Sequence, residues 1–211
     1  MVSRPLRDLL ISAQDVERFS GKAPPLASYA LRPVEDQGQQ YELAMAFDET
    51  SDDEEVEDEA EEVNPFYGIP FGLSMLVVND DAGDAAGFIT FRNDLRVGDT
   101  DDEGRPVAAY DFKVFVFMVR EDLRGMGYGS SLAIGALSTI RHDLEDLSRP
   151  ENGTERPVVA LRFVGEGKSA GGLRLLNRVA RNLGVLSDQV RRTHGLSFSQ
   201  VAAEILTGRA A

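Results

Sequence analysis

The chain has 211 residues, a formal charge of −14 and no cysteine. That length supports one sizeable core or a core with appendages. The missing cysteine excludes a disulfide framework, a thiolate metal site and a cysteine nucleophile. The charge is concentrated: residues 48–62, "DETSDDEEVEDEAEE", hold eleven of the 36 acids and no base, leaving 25 acids against 22 Lys and Arg elsewhere. The remainder is therefore a near-neutral domain carrying one acidic segment. Such a run repels itself and reads as a solvated linker; its second reading is an attractor for a cationic substrate or a basic partner. No segment reaches the roughly 18 apolar residues that read as a membrane span, and the first residues lack the long apolar stretch of a secretory leader. The expectation is a cytoplasmic protein without membrane or nucleic-acid partners.

In chain order, residues 3–19 carry Leu6, Leu9, Leu10, Val16 and Phe19 at helical spacing, which predicts an amphipathic helix ended by "GKAPP". "ASYALRP" reads as a strand and "EDQGQQYELAMAF" as a helix. After the acidic run, "FGLSMLVVN" and "AGFITFR" flank the turn "DDAGDA" as a hairpin. "NDLRVGDTDDEGRP" reads as a polar loop and "YDFKVFVFMV" as a long strand. A helix is predicted over 130–147, a strand over "PVVALRFV", a helix over "SAGGLRLLNRVARNLG" and a final helix over "SFSQVAAEIL". Hairpin-linked strands followed by strand–helix–strand–helix imply an α/β fold, a mixed sheet with helices on its faces.

The stretch "RGMGYGSS", residues 124–131, joins the long strand to the helix behind it. A dinucleotide fingerprint needs a third glycine where Ser130 stands, and a parallel βαβ setting. "GEGKS", residues 165–169, has Arg162 where a phosphate-binding P-loop needs its first glycine; its glycines read as a sharp strand-to-helix turn. The loop at 124–131 suits phosphate on physical grounds. A helix start leaves backbone N–H groups without partners and carries partial positive charge, and glycines let the backbone come close to an anion.

With Arg124 followed by Gly127 and Gly129, and Gly125 and Tyr128 between them, "MVREDLRGMGYGSSL" resembles the pyrophosphate-binding segment of the GNAT superfamily of acetyl-CoA-dependent N-acetyltransferases. "YALRPVEDQGQQYELAMAF" resembles that family's opening strand and first helix, and the later elements follow in family order. The resemblance covers about residues 28–185. It implies a mainly antiparallel central sheet flanked by helices, with the family's strands four and five splayed around coenzyme A. Outside it lie an N-terminal helical extension over 1–27 and a tail over 186–211 that reads as helical, and the acidic segment 48–62 falls inside the domain. The pantetheine arm would lie along Phe117, Met118 and Val119. The pyrophosphate would lie on Arg124, Gly125, Met126, Gly127, Tyr128, Gly129 and Ser130, with a hydroxyl from Ser130 or Ser131.

The implied reaction moves acetyl from acetyl-CoA to a primary amine of a cationic small molecule or a protein, without a metal. One family position for the carboxylate base falls on Lys113, which cannot act as one. Asp111, two residues earlier on the same strand face, is the first candidate base, and Glu166 the second. The family's tyrosine acid has no counterpart, because all five tyrosines lie at or before Tyr128; Leu173, Arg174 and Ala180 occupy that region. A non-catalytic GNAT-fold module that binds coenzyme A or a basic partner is the alternative. His142 and His194 read as structural, with no metal-ligand spacing around them. Both terminal extensions are candidates for covering the sheet or for a homodimer contact.

Overall fold

The computed structural model describes residues 6–48, 73–149, 155–167 and 169–207. Residues 49–62 of the acidic run, and the substrate-attracting role read for it, lie outside the described residues. The elements are β1 (Leu9–Ser12), α1 (Ala13–Ser20), β2 (Ser28–Val34), α2 (Gln37–Asp48), β3 (Ser74–Asn79), β4 (Ala85–Thr100), β5 (Pro106–Val119), α3 (Tyr128–Leu147), β6 (Val158–Gly167), α4 (Ala170–His194) and β7 (Ser197–Thr207). The seven strands form one sheet in chain order, and with four helices they make the expected mixed α/β fold.

The chain divides into two compact units. One comprises Arg7–Phe91 and Phe115–Leu132. Here β1 to β4 pair antiparallel in succession. The face of β2, β3 and β4 that meets α2 closes on Val34, Ala44, Phe47, Met75, Val77 and Phe88, with Phe47 edge-on to Phe88 at 5.1 Å. Gln40, buried in the first turns of α2, donates to the carbonyls of Val34 (2.7 Å) and Leu73 (3.1 Å). Those bonds satisfy backbone groups that would otherwise be costly to bury.

The second unit comprises Met1–Leu6, Arg92–Val114 and Ala133–Ala211. Here β5, β6 and β7 run parallel. Phe112 and Phe163, opposite each other in the register, stack at 6.1 Å. The long helix α4 buries Leu176, Val179, Leu183, Leu186 and Val190, a stripe at helical period, and each such side chain stabilises the fold by roughly 1.5–3 kcal/mol. Ser169 caps the start of α4 and Gly195, at φ 67°, its end.

Four expectations are corrected. The segment "SFSQVAAEIL" forms strand β7, not a helix. Its apolar residues fit both periods, and the open edge of β6 supplies a ladder that decides between them. Residues 3–19 are not one helix, because Leu9–Ser12 pairs with β2 and Ser12 then caps α1 by accepting from the Asp15 N–H at 3.2 Å. The polar loop over 93–106 is largely strand: β4 runs to Thr100, and a turn closed by Asp101 and Arg105 leads into β5. The boundary drawn at residue 185 falls inside α4, so 186–211 is not a separate tail. The register of β5 with β6 runs from Val107↔Val158 to Val114↔Gly165; the expected splay concerns residues beyond that ladder.

Candidate functional site

The loop after β5 is built by a series of short-range bonds. Arg120 N–H donates to the Ala86 carbonyl at 3.0 Å, and a 3-10 turn, Glu121–Leu123, follows. The N–H groups of Arg124 and Met126 turn inward to the carbonyls of Glu121 and Leu123. Gly125 and Gly127 take φ of 86° and 94°, a backbone that side chains with a Cβ rarely adopt. Helix α3 begins directly at Tyr128, two residues earlier than its sequence suggested, and its first bond runs from Ser131 N–H to the Gly127 carbonyl at 2.9 Å. Among the described residues none accepts from the N–H groups of Gly125, Gly127, Tyr128, Gly129 or Ser130. Five uncommitted donors at a helix start are an anion site in the physical sense.

Of the two serines, Ser131 is fully buried and its hydroxyl donates to the Tyr128 carbonyl at 2.7 Å. The Ser130 hydroxyl alone is left to a ligand. Arg124 is exposed and pairs with Glu121 at 3.2 Å, while its Nε donates to the Val119 carbonyl at 3.4 Å; such a surface pair contributes little to stability.

Tyr29 on β2 holds this loop in shape. Its hydroxyl donates to the Met126 carbonyl at 2.6 Å, and its ring meets Tyr128 edge-on at 5.3 Å. Burial raises its pKa and keeps the hydroxyl protonated as a donor. A Cβ on Gly127 would stand 2.5 Å from that hydroxyl and 3.0 Å from Pro24 Cβ, whereas a Cβ on Gly125 would meet nothing within 4 Å. The two glycines therefore serve different ends: Gly127 fits the protein, and Gly125 faces open space. No sequence signal singles out Tyr29, which lies 97 residues from its acceptor.

Phe117, Met118 and Val119 are half-buried at the end of β5. Gly87 on β4 lets the chains close up there, since a Cβ would fall 2.7 Å from the Met118 carbonyl oxygen. One step earlier the Val116 N–H donates to the hydroxyl of buried Thr90 at 3.1 Å, a side-chain acceptor set into the strand region.

The two candidate bases differ sharply. Asp111 on β5 accepts from Arg162 Nε at 2.8 Å and from Arg96 Nη2 at 2.5 Å. The Arg162 bond, with Arg96 adding to it, holds its pKa below the usual carboxylate value. A carboxylate so committed accepts a proton poorly, and the geometry argues against the first-choice reading. Glu166, near the end of β6, is exposed and has no ion-pair partner among the described residues. Leu173, Arg174 and Ala180, the region without the tyrosine acid, line a cavity of about 490 Å³ with Asn177 and Arg181.

Other charged and polar groups are structural. Tyr110 is buried and donates to Asp143, which also accepts from Asn93 at 2.8 Å; burial raises both the Tyr110 and Asp143 pKa values. His194 lies 3.7 Å from Glu145. Among the described residues no group of three or more His, Asp or Glu could hold a metal, and no helix is long and apolar enough to cross a membrane.

No family model and no curated protein matches the chain. Solved structures do. The xEco2 acetyltransferase domain, in a structure with a CoA conjugate, is 10% identical over 72% of this chain and 87% of its own, with a TM-score of 0.38. A Trypanosoma brucei acetyltransferase is 14% identical over 83% and 91%, at 0.30. A transcriptional regulator from Bacillus halodurans is 13% identical over 76% and 91%, at 0.33. Two of these three structures are titled as acetyltransferases and one as a transcriptional regulator. Identities and scores this low say nothing about the chemistry, which has to come from the loop itself.

Proposed function

We propose that this protein binds acetyl-CoA through residues 124–130 and transfers the acetyl group to a primary amine. The observation that carries the proposal is the set of uncommitted N–H groups of Gly125, Gly127, Tyr128, Gly129 and Ser130 at the start of α3, beside an open Gly125. Main-chain donors on a fixed turn suit a pyrophosphate, because they present several dipoles without reorganising. Acetyl-CoA supplies an activated thioester. The amine must be neutral to attack its carbonyl carbon, since an ammonium near pKa 10 has no lone pair. Glu166 is our candidate to take that proton, directly or through one water. As the new C–N bond forms, the C–S bond breaks. The nitrogen gives up its second proton to water as the amide forms, and the leaving thiolate, with a thiol pKa near 8.5 by analogy with cysteine, takes one back from water. The cationic acceptor class and the pantetheine contacts at Phe117, Met118 and Val119 are part of the same proposal.

The test has two stages. Titration calorimetry of the folded chain should show heat with acetyl-CoA, and none at millimolar ligand would end the proposal. A screen of polyamines, aminoglycosides, lysine peptides and protein N-termini for thiol release should then find turnover. Binding without turnover on any of them would leave a non-catalytic coenzyme A module.

Tyr29→Phe deletes one hydroxyl and keeps the ring. A hydrogen bond of this kind is worth about 1 kcal/mol, so acetyl-CoA affinity should fall roughly fivefold. With saturating cofactor, kcat should hold. A fall in kcat with unchanged affinity would refute the positioning role.

A further inference from the structure

We infer that β7 is the interface through which two copies of this chain pair, edge to edge and antiparallel. Among the described residues β7 lies at the end of the sheet order and bonds β6 on one side only. It is eleven residues long and exposed or half-exposed at every position. Val201 is 37% and Leu206 47% exposed. A strand with one open edge presents a row of unpaired N–H and C=O groups, and proteins usually blunt such an edge with proline, lysine, a bulge or shortness. β7 has no proline, no lysine and a single charge, Glu204; its one irregularity lies near the start, opposite Val159 and Ala160.

The occupant follows from the chemistry of the edge. Unpaired backbone groups along about 36 Å require another extended strand of similar length. The strand at the other end of the order, β1, has only four residues, too few for a head-to-tail match. β7 itself has the length and the low charge. Pairing β7 with its own copy is also isologous, so the contact closes at two chains and leaves neither β7 edge open. An antiparallel register centred on Ala203 sets Val201 against Ile205 of the second copy and Ala202 against Glu204 of the second copy. The two glutamates then do not oppose each other, whereas centring on Glu204 would place like charges face to face. Two chains of −14 repel at long range, so association should tighten as salt rises.

Sedimentation velocity of the full chain should show a dimer at micromolar concentration, strengthened by salt. Ala203→Lys, at an exposed position, puts like charges across the two-fold axis and should weaken association about tenfold, with an unchanged circular dichroism spectrum. Because the chain has no cysteine, single cysteines report contacts without ambiguity. Ala203→Cys, which stands opposite its own copy in this register, should form a disulfide-linked dimer under mild oxidation, and Glu17→Cys on exposed α1 should not. A wild-type monomer would overturn the inference. So would a dimer indifferent to Ala203→Lys, or one that cross-links no better at β7 than at residue 17.

Discussion

Replacing Gly125 by aspartate is expected to abolish acetyl-CoA binding while the protein stays folded. A side chain at this position meets nothing within 4 Å, so the fold bears only the cost of φ at 86°, about 1–2 kcal/mol for a residue with a Cβ. The added carboxylate would sit among the N–H groups that are to hold the pyrophosphate. Two like charges about 4 Å apart repel by about 4 kcal/mol at a protein surface. Allowing for screening, the dissociation constant should rise at least about 100-fold. Gly125→Asn is the control, with the same shape and no charge; it should weaken binding only a few-fold. Calorimetry on both variants separates backbone strain from charge, and equal losses for Asp and Asn would sink the assignment of the anion to this loop. Gly127 is the wrong glycine for this test, although the sequence alone makes it equally attractive. Any side chain there collides with the Tyr29 hydroxyl and Pro24, so lost binding would be mixed with lost folding.

Glu166→Gln is expected to lower kcat about 100-fold and to leave the KM for acetyl-CoA unchanged. Removing a general base commonly costs two to four orders of magnitude, and Glu166 lies outside the residues proposed to hold the coenzyme. An unchanged kcat would remove Glu166 from the mechanism. Asp111→Asn is expected to behave in the opposite way, with kcat nearly kept and thermal stability reduced, because two arginines lose their shared acceptor. The sign of the pH effect is fixed. The folded pKa of Asp111 is depressed, chiefly by Arg162, so its stabilisation is present above the unfolded carboxylate value, about 3.9, and is lost as pH falls through the lower folded value. Melting curves of wild type and Asp111→Asn should therefore differ at neutral pH and converge in acid.

The elements whose signals are local were legible in the sequence. The hairpin of β3 and β4, the long β5, helix α3 and the pair β6 and α4 all follow from period and turn chemistry, and the anion loop follows from glycines between a strand and a helix. Position 125 needs φ above zero and an open approach, a demand that glycine states by itself. The segments that were misread are those where two local answers lie close in energy. "SFSQVAAEIL" has apolar residues compatible with either period, and the edge of β6 made it a strand. Residues 9–12 were drawn out of a helical pattern by the ladder of β2.

The sequence by itself determined the mixed α/β class, the order of most elements, the absence of thiol chemistry and the glycine loop, because each depends on residues close together in the chain. Tertiary structure alone decided which residues at the site are available. It engaged Asp111 between Arg96 and Arg162, sealed Ser131 inside α3, set Tyr29 against Gly127 and, among the described residues, left β7 at the end of the sheet. Such facts depend on partners up to 97 residues away. A carboxylate, a hydroxyl or a strand edge is functional or structural according to what the fold brings against it, and spacing along the chain carries no record of that.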